Sequence, residues 1–175
     1  MSPSAQKSFA LVKTSIFTLL VPGTVALYVP YRFVVAEGRW FEMPRWPWQY
    51  LGILPFLVGV AIYLWCAWDF AVTGLGTPAP IDAPRVLVVK GLYRYMRNPM
   101  YAGVLNIILG WAVWFASRRV FIYFCCFWLA AHLFVLLYEE PTLKRKFPGQ
   151  YADYCQRVNR WLPKMPATTA GNSSD

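Results

Sequence analysis

Tyr93, Arg94, Tyr95, Arg97, Asn98 and Tyr101 crowd six polar side chains into nine residues of the stretch Gly91–Gly103, GLYRYMRNPMYAG. An apolar run from Tyr101 to Ala116, interrupted only by Asn106, follows directly. Pro99 suits the first turn of a helix, where its missing N–H removes no bond, and Asn98 before it is a favoured N-cap. A helix start presents free N–H groups and the positive end of its dipole. With an Arg beside it, such a start is a seat for a ligand carboxylate or phosphate. The same side chains would equally serve as an anchor at the level of lipid headgroups.

A second constellation closes the apolar run Val120–Tyr138, where Tyr138-Glu139-Glu140-Pro141 is followed by a basic stretch. Two adjacent acids at the C-terminal end of a helix oppose its dipole and repel each other, so something must compensate them. Lys144 and Arg145, within about one turn, are one answer; a cationic or polyhydroxyl ligand is another. His132, the single histidine, lies seven residues before Glu139 on nearly the same helix face. An imidazole is the side-chain type suited to proton transfer, which makes His132 a candidate catalytic group beside Arg97. A satisfied core histidine is the alternative, and no residue is a clear general base.

The elements around these residues follow from composition. With 58% hydrophobic, 18% aromatic and 14% charged residues over 175, and the apolar residues blocked into runs, the chain is unlike a soluble domain. It reads as a multi-pass membrane protein. The net charge of +9 sits beside the apolar runs, where basic residues set topology and meet anionic lipid, so nucleic acid is not implied. Cys66, Cys125, Cys126 and Cys155 have neither metal-site nor redox spacing and read as packing residues.

Four spans are expected, with five as the alternative, in an all-α polytopic fold ending in a cytoplasmic helical segment. The first is Phe9–Val35, with a kink at Pro22-Gly23; its length argues against a cleaved signal peptide. The second is Tyr50–Val72, interrupted by Asp69, an acid placed to reach water or an arginine. The third, Tyr101–Ala116, offers about 24 Å of helix against roughly 30 Å of hydrocarbon. Its Gly103, Asn106 and Gly110 share a face suited to close helix contact. The fourth, Val120–Tyr138, returns after the short turn Ser117–Arg119, so the two form a tight antiparallel hairpin.

Between spans, Ala36–Gln49 carries Trp40, Trp46 and Trp48 as an interfacial aromatic belt. The loop Thr73–Lys90 is stiffened by Pro78, Pro80 and Pro84, and Arg85–Val89 reads as an extended apolar strip with edges that an adenine ring could use. Its lone G-x-G, with no strand–helix unit behind it, excludes a Rossmann site. Tyr151, Tyr154, Val158 and Trp161 keep helical spacing and predict an amphipathic interfacial helix. Twelve of the seventeen Lys and Arg lie in the N-terminal segment, the 73–99 segment and the C-terminal segment, which places all three in the cytoplasm. Residues 1–166 form one domain and 167–175 a disordered tail.

GLGTPAP, GLYRYMRNPMYAG and EEPTLKRKFPGQYADYCQRV, in this order between Gly74 and Pro163, resemble the isoprenylcysteine carboxyl methyltransferase family and its phospholipid N-methyltransferase relatives. The resemblance implies a membrane-embedded helical methyltransferase whose S-adenosylmethionine pocket, at the cytoplasmic face, is built from residues 74–163. By position it implies cofactor contacts at Arg85, Val86, Leu87, Val88, Tyr93, Asn98, Pro99, Met100, Tyr101 and Glu139, with Glu140 beside it. Arg85 or Arg97 would take the cofactor's carboxylate. Asn98 stands where members acting on prenylcysteine usually carry His, and Val135 where the eukaryotic branch carries a substrate-contacting Arg. The expected acceptor is a lipophilic small molecule or isoprenoid-type carboxylate, with membrane lipids around it and neither a metal, nucleic acid nor an obligate protein partner. Phospholipid N-methylation and a non-enzymatic helical membrane protein are the rival readings.

Overall fold

Long apolar runs leave the backbone no partner but itself, and helices result. The computed structural model describes residues 15–73, 87 and 89–164, and no strand occurs among them. In chain order come α1 (Ser15–Ala36), a 3-10 turn (Pro47–Gly52) and α2 (Ile53–Thr73). A second 3-10 turn (Gly91–Arg94), α3 (Pro99–Trp114), α4 (Arg118–Lys146) and α5 (Gln150–Arg157) follow. Three stretches, Ser15–Ala36, Pro47–Asp69 and Arg118–Lys146, are long and apolar enough to cross a membrane. α3 is apolar but has 16 residues.

The short helix is the centre of the bundle, with half of its residues buried, Val104, Ile107 and Ile108 among them. α2 packs along it through paired glycines. A Cβ on Gly59 would stand 2.5 Å from the Gly103 carbonyl oxygen, and one on Gly110 would stand 2.6 Å from Phe56 Cβ. The small face read in the sequence thus meets α2, the helix before it, and not its hairpin partner α4. Lipid tails give helices no apolar reason to associate, so this close approach is what binds them. α4 lies on another side of α3, and the Tyr123 hydroxyl donates to the Val25 carbonyl of α1 at 2.9 Å. A π turn at Thr24–Tyr28 takes up the disturbance expected at Pro22-Gly23.

At one end of the bundle the last carbonyls of α3 lack helical partners. Arg39 donates to the Phe115 and Ala116 carbonyls at 2.9 and 3.1 Å, and Gln49 to the Trp114 carbonyl at 2.9 Å. Trp40 stacks on Trp111 and Phe115. The aromatic loop is therefore folded over α3 in part, while Phe41 and Met43 stay exposed.

The C-terminal amphipathic helix is shorter than its spacing predicts. α4 runs on through Glu140–Lys146, Gly149 at φ +84° breaks the chain, and α5 stops at Arg157. Val158 is extended, and Asn159 bridges Met96. The helical spacing stops short of Trp161 because Val158 leaves the helix to bury itself. It joins Tyr151 and Tyr154 in a small second core with Leu87, Leu143 and Phe147. The apolar face of α5 thus packs on protein.

Candidate active site

The end of the bundle opposite Arg39 gathers most of the residues singled out in the sequence. Gly91 has φ +54°, and a Cβ there would collide with the Asp69 carboxylate and lie 3.3 Å from Trp65 Nε1. Only glycine lets the 91–94 turn seat itself against the end of α2. That turn presents Tyr93, whose carbonyl accepts a 2.7 Å hydrogen bond from the Tyr154 hydroxyl. Burial, with Cys66 and Glu139 nearby, pushes the Tyr93 phenol well above its ordinary pKa, so it stays a protonated donor.

α3 then begins at Pro99, with Asn98 at the N-cap position but no cap bond from its side chain. The Asn98 amide donates instead to the Arg160 carbonyl at 3.1 Å. Beside it, the Arg97 N–H bonds the Asn159 carbonyl at 2.9 Å, and Lys164 N–H bonds the Tyr95 carbonyl at 2.9 Å. Residues 159–164 are strapped across the entrance of α3.

The paired acids are treated unequally. Glu140, buried, accepts from Arg97 at 2.9 Å and from Arg160 at 2.7 and 2.9 Å through both of its oxygens. Arg97 also donates to Cys155 Sγ at 3.0 Å. Compensation thus comes mainly from across the fold. The bidentate grip of Arg160 suits a planar carboxylate better than a lysine would. Among the described residues Glu139 receives a single long bond, from the Tyr101 hydroxyl at 3.4 Å. A π turn, Val135–Glu139, immediately precedes Glu140. Such a turn carries an extra residue and re-aims the side chains that follow it.

Trp161 completes the cluster. Its ring stands edge-on to Tyr101 with centroids 6.5 Å apart, and its Nε1 donates to His132 Nδ1 at 3.0 Å. His132 is stacked on Trp128 at 5.5 Å.

Tyr93, Arg97, Asn98, Tyr101, Glu139 and Glu140 therefore share one end of the bundle. Pro99 is buried there, Met100 packs against the main core, and Leu87 belongs to the second core. Arg85, Val86 and Val88 lie outside the described residues. Arg160 and Trp161 were not read from the sequence as site residues. The available signal is the charge demand of two adjacent acids, which Lys144 and Arg145 are close enough in sequence to meet.

A family model described as phospholipid methyltransferase matches residues 48–150, more than half of the chain. The chain belongs to this family. The match takes in both the Tyr93–Tyr101 strip and the acidic pair, and it stops before Arg160 and Trp161. Among curated proteins, the chain is 35% identical over 63 residues to an uncharacterized protein of Haemophilus influenzae, covering 36% of this chain and 100% of that one. It is 35% identical over 87 residues to protein-S-isoprenylcysteine O-methyltransferase B of Arabidopsis thaliana, covering 44% of this chain and 39% of the plant enzyme. The chain thus spans well under half of that enzyme's length. No solved structure matches it. Membership makes the chain one of a family of membrane methyltransferases, and the three long apolar helices agree with that setting.

Proposed function

We propose that the chain is an S-adenosylmethionine-dependent methyltransferase acting on the head of a lipophilic acceptor, foremost a carboxylate. The observation that carries the reading is the Tyr101–Glu139 contact, which joins the start of α3 to the end of α4 across 38 residues. The donor set fits the methyl donor. Glu139 has acceptor capacity beyond its one long bond, suited to an ammonium or to ribose hydroxyls, and the rings of Tyr93, Tyr101 and Trp161 suit a sulfonium. When bound, S-adenosylmethionine supplies its methyl group as the sulfur–carbon bond breaks, sulfur keeps the electron pair, and the acceptor atom's own pair forms the new bond.

The chain's residues position and exclude water in such a displacement. Tyr93 and Tyr101 wall the site, and Glu139 holds a polar group of the donor. The donor's carboxylate falls to Arg85 or to Arg97, which meets Glu140 through one terminal nitrogen and keeps an unbonded Nε among the described residues. The acceptor enters from the bilayer beside α3 and α4. The distribution of basic residues supports four crossings, with both termini and the site on the cytoplasmic side. N-methylation of a phospholipid head is the second reading, favoured by the description of the matched family.

Calorimetric titration of the purified protein with S-adenosylhomocysteine tests the reading. Saturable binding that weakens in Glu139→Ala is expected; absence of saturable binding to the unaltered chain would overturn it. Transfer of labelled methyl groups into lipid extracts then identifies the acceptor.

A further inference from the structure

His132 is the one imidazole in the chain, and its ring is unusually constrained. A neutral imidazole has one N–H and one lone pair, and an indole N–H can only donate. The Trp161 Nε1–Nδ1 distance of 3.0 Å therefore assigns the lone pair to Nδ1 and the proton to Nε2. The lone pair is spent on the indole. Stacking on Trp128 (interplanar angle 14°) and against Trp161 fixes the direction of the ring. Among the described residues Nε2 has no protein partner, and His132 is only half-buried. Its neighbours on α4, Trp128, Leu129, Leu133 and Leu136, are exposed apolar side chains. His132 lies about 10 Å along the helix from Glu139. A donor N–H in such apolar surroundings demands an acceptor.

We infer that His132 binds the lipid-borne acceptor by donating its Nε2–H to an anionic oxygen of that molecule, and that Trp161 is the residue positioning it. This rests on the methyltransferase reading above. His132 is then no base: with Nδ1 taken by the indole, it cannot accept a proton from a nucleophile through that nitrogen. A carboxylate acceptor needs no base, because its oxygen attacks with an existing lone pair and loses no proton. A phospholipid head offers the same kind of oxygen to Nε2–H through its phosphodiester, while its amine, once its ammonium proton has passed to water, attacks the methyl group with the freed lone pair.

Three variants of the full chain in lipid nanodiscs test this: His132→Gln, which keeps both an acceptor for Trp161 and an N–H donor, His132→Leu, which keeps neither, and Trp161→Phe, which keeps a ring without its N–H. Methyl transfer to a farnesylated cysteine carboxylate and to phosphatidylethanolamine is followed, with S-adenosylhomocysteine binding measured alongside. We expect His132→Leu to raise the acceptor KM by about tenfold or more, as loss of a hydrogen bond to a charged group does. His132→Gln should stay near the unaltered chain, Trp161→Phe should fall between them, and S-adenosylhomocysteine affinity should not move in either His132 variant. The acceptor whose KM rises names the source of the oxygen. Equal loss of kcat in the Gln and Leu variants would make His132 a base and overturn the inference; so would an unchanged acceptor KM in all three. If the unaltered chain fails to bind S-adenosylhomocysteine, the methyltransferase reading itself fails, and the donor role of His132 falls with it.

Discussion

Both ends of the bundle hold arginines, a carboxylate and tryptophans close to α3, yet they use them differently. At the C-terminal end of α3, Arg39 and Gln49 spend their donors on three backbone carbonyls. Glu37 there sits 3.7 Å from both Arg39 and Arg119. At the other end the ion pairs are shorter, at 2.7 to 2.9 Å, and join three separate segments through Glu140. What remains there is a partly committed carboxylate, Glu139, with Tyr101 against it, and a half-buried His132 whose Nε2 has no protein partner among the described residues. The first end closes a helix. At the first end the atoms that lack a hydrogen bond among the described residues, Glu37 Oε2 and Trp111 Nε1, are sealed, whereas the second closes the chain around groups whose bonding capacity is still within reach, and that difference distinguishes a site from a cap.

The largest effect should come from removing the centre of the ion-pair cluster. In Glu140→Ala, Arg97, whose side chain is only 13% exposed, would lose its counter-charge, and Arg160 would lose its bidentate partner. Deleting one member of a buried pair costs about 3–5 kcal/mol. We expect a large drop in thermal stability in detergent and rapid protease cleavage in residues 150–164. A variant that unfolds like the unaltered chain, with its C-terminal segment still protected, would show the cluster to be ornamental.

Gly59→Ala comes next. Its new Cβ would meet the Gly103 carbonyl and the Ile107 N–H at 2.5 and 2.7 Å, both backbone atoms that cannot swing aside. Overpacking of this kind costs about 1–3 kcal/mol. Because α3 carries Tyr101, the variant should lose some donor affinity together with stability. Equal stability by thermal unfolding would mean that α2 can shift without cost.

The glycine contact was half legible in the sequence. Gly103, Asn106 and Gly110 marked a close-packing face, but nothing in the spacing said which helix would meet it, because Gly52 and Gly59 are scattered in an apolar run without a polar marker. The meeting of Tyr93–Tyr101 with Glu139 was legible for a topological reason: two segments that follow and end spans on the same side must lie at one end of the bundle. The strap of residues 159–164 was not. Tyr151, Tyr154, Val158 and Trp161 repeat with helical spacing, and local periodicity cannot reveal that Val158 gains more by burial in the second core than by continuing the helix. Type and position predict Asn98 as a cap; its amide goes instead to the Arg160 carbonyl, a partner sixty-two residues away that no local rule could supply.

Glu139→Ala should separate site from scaffold. It removes one long hydrogen bond from Tyr101, so stability should change by about 1 kcal/mol or less. Affinity for S-adenosylhomocysteine should fall by about 10- to 100-fold, the loss expected when a charged hydrogen-bond acceptor is deleted. A variant that is unstable but binds normally would assign Glu139 to the scaffold with Glu140.

The smallest effect belongs to the opposite end and completes the contrast. Arg39→Ala leaves the Phe115 and Ala116 carbonyls without their guanidinium donor and frees Glu37 from one neighbour. Both carbonyls lie in a partly exposed turn, where water can replace the lost donor, so the net cost should be about 1 kcal/mol. Thermal unfolding should register it as a shift of a few degrees. Donor affinity, acceptor KM and kcat should all stay where they were, because α3 is held along its length by α2 and the change sits at the end away from Tyr101. If Arg39→Ala altered donor affinity as much as Glu139→Ala does, the two ends would be coupled through α3, and the division between a closing end and a working end would no longer describe this protein.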